Sequence, residues 1–469
     1  MVALKIGLVG PTYQQRSLPF DAQRTINFWP IFDQQGKEVS ALYGTPGLSL
    51  FASAGAQGHR QSFTSANGRC FFVAGSTLYE VLADGTTTSR GSLLSSTGNV
   101  SMDENNTQLG ICDGLRLYTF TYSGNTFAQV TDGDLPATVA FLTAIDNYFV
   151  IVDGVTGRFY ISALGNGTAW NPLDFATAES NPDELLAAKN ALGQLWLMGK
   201  NTSEIWTNTG ASNFPFRRIN GAVMEVGILA PHSVIDVGNS IIWLGRDKRG
   251  AGIVYRANGF VPEPLSNEPI NIAISKATSP NQIVAWSYQE DGHTFYALTG
   301  GGLETTLVLD LDTNQWHERS YNDDGDLTPH LAQCTTYAFG KQLVGDRRNG
   351  NIYEMSLAYY DDAGADMVSE RIYTHISDMD RRIRYNRLDI SLETGVGNLT
   401  GAGQDPLISL QLSKDGARTW SNWFTARMGK VGEYLTKVTF RRLGIAEQMT
   451  FKIRISAPVK RALTGSYLS

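Results

Sequence analysis

The 469-residue sequence predicts an all-β protein: a β-propeller of about six to seven blades, an extended N-terminal arm and a C-terminal antiparallel β-sandwich. Three observations predict this. The chain holds 48 glycines and 49 aromatic residues but only 18% charged residues, a balance suited to short strands and tight turns rather than helical bundles. A strand–glycine–strand unit recurs through the middle of the chain. Near residue 360 the composition shifts to strands in which basic and apolar residues alternate.

The elements follow in order. Residues 1–55 read as an irregular arm with an aromatic cluster (Phe28, Trp29, Phe32) and a Thr45-Pro46-Gly47 turn. A segment this long with few strand signals is expected to lie on another surface. Residues 56–360 carry the repeat. Its glycines are Gly75, Gly114, Gly154, Gly199, Gly245, Gly300 and Gly345, separated by 39, 40, 45, 46, 55 and 45 residues. That period matches a four-stranded propeller blade, whereas sandwich strands recur every 8–12 residues without a longer period. Asn181, Pro182, Asp183 and Glu184 read as a helix start before LLAAKNALG. Residues 361–469 read as the sandwich, with four arginines within 381–387 on a solvated or subunit-facing strand.

Composition excludes several classes. The net charge of −7 argues against a tight grip on DNA phosphates, although such a surface lets DNA pass without sticking. Cys70, Cys112 and Cys334 are odd in number and widely spaced, which points to buried thiols rather than disulfides or zinc. No stretch approaches 18 apolar residues, so no membrane insertion is expected. Lys5 and Pro11 interrupt the apolar N-terminus, so no signal peptide is expected either.

Ser413–Trp420 (SKDGARTW) approximates the Asp-box turn, with Gly416 one place early. There Asp415 caps turn amides and Trp420 packs beneath, a structural role. A sialidase would carry several such turns, an arginine cluster and a Tyr–Glu pair, which the spacing does not supply. Asp310, Asp312 and Asn314 open like a calcium loop, but Gln315 and Tyr321 occupy the glycine and glutamate positions. The six histidines are scattered, and no phosphate loop or nucleophile elbow occurs. The expectation is no enzyme activity, no cofactor and no metal.

Ordered motifs remain. They are TINFWP (25–30), LYGTPGLSLF (42–51), the AES-x-PD stretch from Ala178 to Asp183, a Gly199–Thr202–Glu204 strand turn ending at Thr209-Gly210, the Ser413–Gly416 turn and Arg441–Gly444 (RRLG). In this order the chain resembles the tail hub or nozzle proteins of short-tailed bacteriophages, the packaged DNA stabilisation proteins. The resemblance implies a virion tail component assembled in the host cytoplasm. It implies a homo-hexameric ring below the portal and adaptor ring that continues the DNA channel, retains the packaged genome and docks the needle, tip or fibres. Asn27, Trp29, Pro30, Pro46, Gly47, Arg381, Arg382 and Arg384 are the expected assembly residues, and the arm is expected to cross its own propeller or a neighbouring subunit. The alternatives are a carbohydrate-binding or glycoside-cleaving propeller and a receptor-binding tail-tip protein.

Overall fold

Hairpin turns with left-handed backbone set the blades. Between strands Phe141–Ile145 and Tyr148–Val152, Asp146 and Asn147 take φ of 50° and 67°. This two-residue turn matches the strand twist, and Asp and Asn tolerate it best among non-glycine residues. The computed structural model describes residues 4–18, 21–32, 40–178, 183–246, 250, 252–377 and 381–469.

Seven antiparallel sheets form the propeller. Blades 1 to 6 occupy residues 59–92, 101–129, 141–177, 185–224, 227–264 and 283–323. Blade 7 joins Ala332–Ala338, Lys341–Asp346 and Asn351–Ser356 to an N-terminal strand, Gly47–Ser53. Neighbouring inner strands touch all the way round, from His59–Thr64 through to Ala332–Ala338 and back. The ring thus closes by pairing chain segments about 300 residues apart, which leaves no open sheet edge between the last blade and the first.

The recurring glycines serve two purposes. Gly75, Gly114, Gly154 and Gly300 turn at positive φ. Gly199, Gly245 and Gly345 instead lie inside strands, where a neighbour leaves no room. A Cβ on Gly345 would sit 2.6 Å from His59 Cγ.

Two expectations are corrected. Residues 185–191 form an inner strand rather than a helix, because Ala187 and Ala188 are fully buried there and packing overrides the helix propensity of Leu and Ala. The helix-start residues Asn181 and Pro182, and Glu179 and Ser180 of the AES-x-PD stretch, lie outside the described residues, as do 247–249 and 251 of the fifth repeat. The described α-helix instead spans Glu268–Ser275 (α1), where Asn267 accepts from the Ile270 amide and Pro269 occupies the first turn. It inserts between blades 5 and 6 and explains the longest repeat interval. Among the described residues no helix is long and apolar enough to cross a membrane.

The N-terminal segment is not irregular. It holds β1 (Leu4–Ile6), β2 (Tyr13–Gln14), β3 (Ala22–Ile26), β4 (Phe28–Phe32), β5 (Ser40–Gly44) and β6 (Gly47–Ser53). Each is too short to display an alternation pattern. One sandwich sheet runs β4, β5, Ala462–Leu468, Ile383–Leu392, Val438–Ala446, with β1 also on Ala462–Leu468. The other runs β3, Ser369–Ile372, Gln448–Ile455, Leu407–Ser413, Phe424–Arg427. β3 also pairs in parallel with the outer strand of blade 6, Ile26 against Glu318. One continuous sheet therefore crosses from propeller into sandwich.

Candidate assembly site

The junction between the two domains gathers most of the expected N-terminal residues. Asn27 stands between β3 and β4 with φ of 50° and is fully buried. Its Nδ2 donates to the Ser320 carbonyl at 2.9 Å and the Val368 carbonyl at 2.8 Å, and its Oδ1 accepts from the Ser320 amide at 3.0 Å. One side chain thus ties the arm, blade 6 and the interdomain linker together. Strand alternation then sends neighbours to different cores. Phe28 enters the sandwich core with Leu388, Phe440 and Phe451. Trp29 enters the propeller, edge-on to Phe295 at 5.2 Å and His293 at 4.7 Å. Pro30 is buried on β4, the end strand of its sheet, where a missing N–H costs no ladder bond. Pro46 and Gly47 are also buried. A Cβ at Gly47 would lie 2.6 Å from the Tyr359 carbonyl oxygen. These five residues are therefore occupied within their own chain.

Four charged residues outside the expected set hold the same junction. Arg371 is fully buried and donates to the Leu8 carbonyl (2.7 Å), the Pro11 carbonyl (3.0 Å), Thr25 Oγ1 (2.9 Å) and Gln23 Oε1 (2.6 Å). Arg461 donates to Ser369 Oγ and to the carbonyls of Tyr360 and Ala457. Arg319 donates to the Pro46 carbonyl at 2.5 Å. Glu318 accepts the fork of Arg24 (2.6 and 3.0 Å), Thr12 Oγ1 and Thr305 Oγ1. Burial lowers Arg371 and Arg461 to about 10, still charged at neutral pH. The same burial pushes the Asp362 carboxyl up to about 7, against the pull of Arg319 and Arg461. The detectable signal was position: in Trp316-His317-Glu318-Arg319 and Ser369-Glu370-Arg371 the charges fall inside strand runs rather than at turns.

On the sandwich surface the Asp-box-like turn keeps its capping geometry. Asp415 accepts from Thr419 Oγ1 (2.5 Å), the Thr419 amide (2.9 Å), Ser413 Oγ (2.8 Å) and the Arg418 amide (3.1 Å), and these bonds hold its carboxyl well below the usual range. Gly416 turns at φ of 73°. Trp420 is only half-buried, with Lys452 Nζ 4.2 Å from its ring centre, and Arg454 lies 4.6 Å from that of Trp423. Arg381, Arg382 and Arg384 are exposed, and among the described residues their one ion pair is from Arg382 to Glu447 at 4.0 Å.

His293, Asp310 and Asp312 bring ligand atoms within 4.8 Å of one another. Asp310 is already satisfied there by His293 Nδ1 (2.9 Å), Thr313 Oγ1 (2.8 Å) and the Asp312 amide (3.0 Å), as a turn cap would be. The central channel of the propeller is also nearly filled. Phe63, Met102, Phe141, His232 and Trp286 leave a cavity of about 260 Å³. A double helix, whose major groove alone is about 12 Å wide, cannot pass through it.

A closed propeller, locked to a sandwich by buried arginines and a shared sheet, defines a rigid scaffold protein. Its family is shown by sequence. The model for the bacteriophage P22 Gp10 β-propeller matches residues 4–360, and that for the P22 Gp10 β-sandwich matches residues 370–469. The chain belongs to the P22 Gp10 family and is a structural protein of the phage virion. No curated protein sequence matches it. Among solved structures it is similar to the extracellular domain of the one-component system BT4673 from B. thetaiotaomicron (9% identity, TM-score 0.45), covering 85% of this chain and 47% of that one. It thus spans about half the length of that extracellular domain. The N-terminal domain of Nup159 (9% identity, TM-score 0.38) is covered over 98% of its length and 71% of this chain's. Neither likeness bears on function.

Proposed function

We propose that the protein forms a hexameric hub or nozzle ring of a short phage tail, seated below the portal and adaptor. The ring continues the DNA channel, retains the packaged genome and docks the tail needle, tip or fibres. Family membership across both domains carries this reading. The fold supports it in two ways. A scaffold under genome pressure benefits from domains that cannot swing apart, and the junction supplies this. The filled propeller channel means that any duplex path runs between copies around a ring axis, not through one chain. Cryo-EM of isolated tails tests the reading. Six copies around a central lumen directly below the adaptor are expected, and density for this chain solely at the tail tip would overturn it.

A further inference from the structure

Charge divides unevenly along the chain. Residues 370–469 hold 16 Lys and Arg against 9 Asp and Glu, whereas residues 1–369 hold 22 against 36. Part of each excess lies without ion pairs on one surface.

The acidic surface is one end of the propeller. In every blade the turn between the first and second strands and that between the third and fourth lie at the same end. Contacts between blades confirm the shared face. Arg69 donates to Asn125 Oδ1, Thr107 Oγ1 to the Gly165 carbonyl and Asn208 Nδ2 to Asp146 Oδ2. Gly238, Glu290 and Gly340, from the turns of blades 5, 6 and 7, line one cavity there. Exposed Asp84, Asp146, Asp236 and Asp291 project from this end and have no ion pair among the described residues. Of the nearby cations, Arg69 and Arg90 are engaged by Glu80 and Lys341 by Glu354, while Lys189 and Arg217 have no ion pair among the described residues. The opposite end mixes signs, with Arg116, Lys200, Lys276 and Arg348 among its acids.

The basic surface is the far edge of the sandwich. Val438–Ala446 ends its sheet, three strands beyond β5 and on the side away from β4, which packs on the propeller. Arg384 and Arg387 face outward beside Arg441, with Arg442 on the edge strand itself. Arg384, Arg441 and Arg442 have no ion pair among the described residues. The loop that leads into this strand exposes Tyr434 (70%) and Leu435 (94%), an apolar element beside the charges, as interfaces combine them.

We propose that the arginine edge of the sandwich docks on the acidic end of the propeller of a second copy of this chain. Two-fold pairing of either surface with itself would set arginine on arginine or aspartate on aspartate, whereas a head-to-tail contact sets arginine on aspartate. Head-to-tail contacts close into rings when the rotation permits. The proposal rests on the ring reading above and supplies its subunit interface.

Sedimentation velocity of the full chain at 50, 150 and 500 mM NaCl tests it, with circular dichroism to verify folding. Three proteins are compared: wild type, R384E/R441E and D84K/D146K/D236K. Wild type should self-associate at 50 mM, about tenfold or more weakly at 500 mM. Each variant alone should stay monomeric, and an equimolar mixture of the two should assemble, because every mixed contact restores opposite charges. Variants that assemble as wild type does would overturn this interface while leaving a ring intact. A wild type that stays monomeric yet still adds six copies to portal–adaptor complexes would do the same. Arg384- and Arg441-dependent capture of a 30-base-pair duplex by a monomeric wild type would reassign the arginine edge to DNA.

Discussion

Asn27 concentrates the account at the residue scale. Its left-handed backbone and three buried hydrogen bonds are separable. Asn27→Ala loses both and should destabilise by about 3–5 kcal/mol. Asn27→Gly restores the backbone freedom and should recover about 1 kcal/mol of that. Urea denaturation midpoints distinguish the two, and equal losses would refute the backbone component. Arg371 is a second such point. Its partners are all neutral, so Arg371→Met removes a desolvated charge but orphans two carbonyls and two side-chain oxygens. Trp420 is a surface counterpart. Half-buried under Lys452, its replacement by alanine should cost about 1–2 kcal/mol rather than the 3–5 typical of a core tryptophan.

At the element scale, β6 is the closing piece. Without it blade 7 presents Asn351–Ser356 as an open edge. A chain starting at residue 56 would also lose β1, β3, β4 and β5 from both sandwich sheets. Such a truncation should aggregate or unfold without a cooperative transition. Residues 361–469 expressed alone should likewise fail to give a sharp thermal melt, and a sharp melt would show that the N-terminal strands are dispensable to the sandwich. The blades were legible in sequence because a turn glycine and the strand after it are local. The arm was not, because Asn27 finds its partner 293 residues later at Ser320. Nothing local in TINFWP announces that Phe28 and Trp29 enter different domains. The inner strand of blade 5 was hidden for another reason. Pro231 breaks it into a 3₁₀ turn and two short strands, so its alternation is interrupted. The arginine clamps were obscured because a buried charge and a wet one look alike in a strand until their partners are known.

At the scale of the whole molecule, pH reads the buried charges. Burial lowers His59 to about 4 and His317 to about 3, and holds His330 well below its ordinary 6.5. Below pH 6.5 the unfolded chain binds these protons and the folded chain does not. Stability is therefore full above 6.5 and falls with acid, by roughly 2 kcal/mol per histidine at pH 5. Asp362 acts oppositely. Its raised value means that stability is lost as pH rises from about 4 to 7. Burial also lowers His232 to about 4 and raises Asp236 and Glu290, so four histidines outweigh three carboxyls; the melting temperature should climb between pH 5 and 6.5, and Asp362→Asn should steepen that climb. A flat profile would show that the histidines are hydrated.

The most direct test of the assembly itself is a count. Purified protein, 51.3 kDa per chain, is added to portal–adaptor complexes, and the mass gained is read by mass photometry. The proposed ring predicts a discrete gain of six chains per complex. No gain at saturating protein, or a gain that never settles at six, would contradict it.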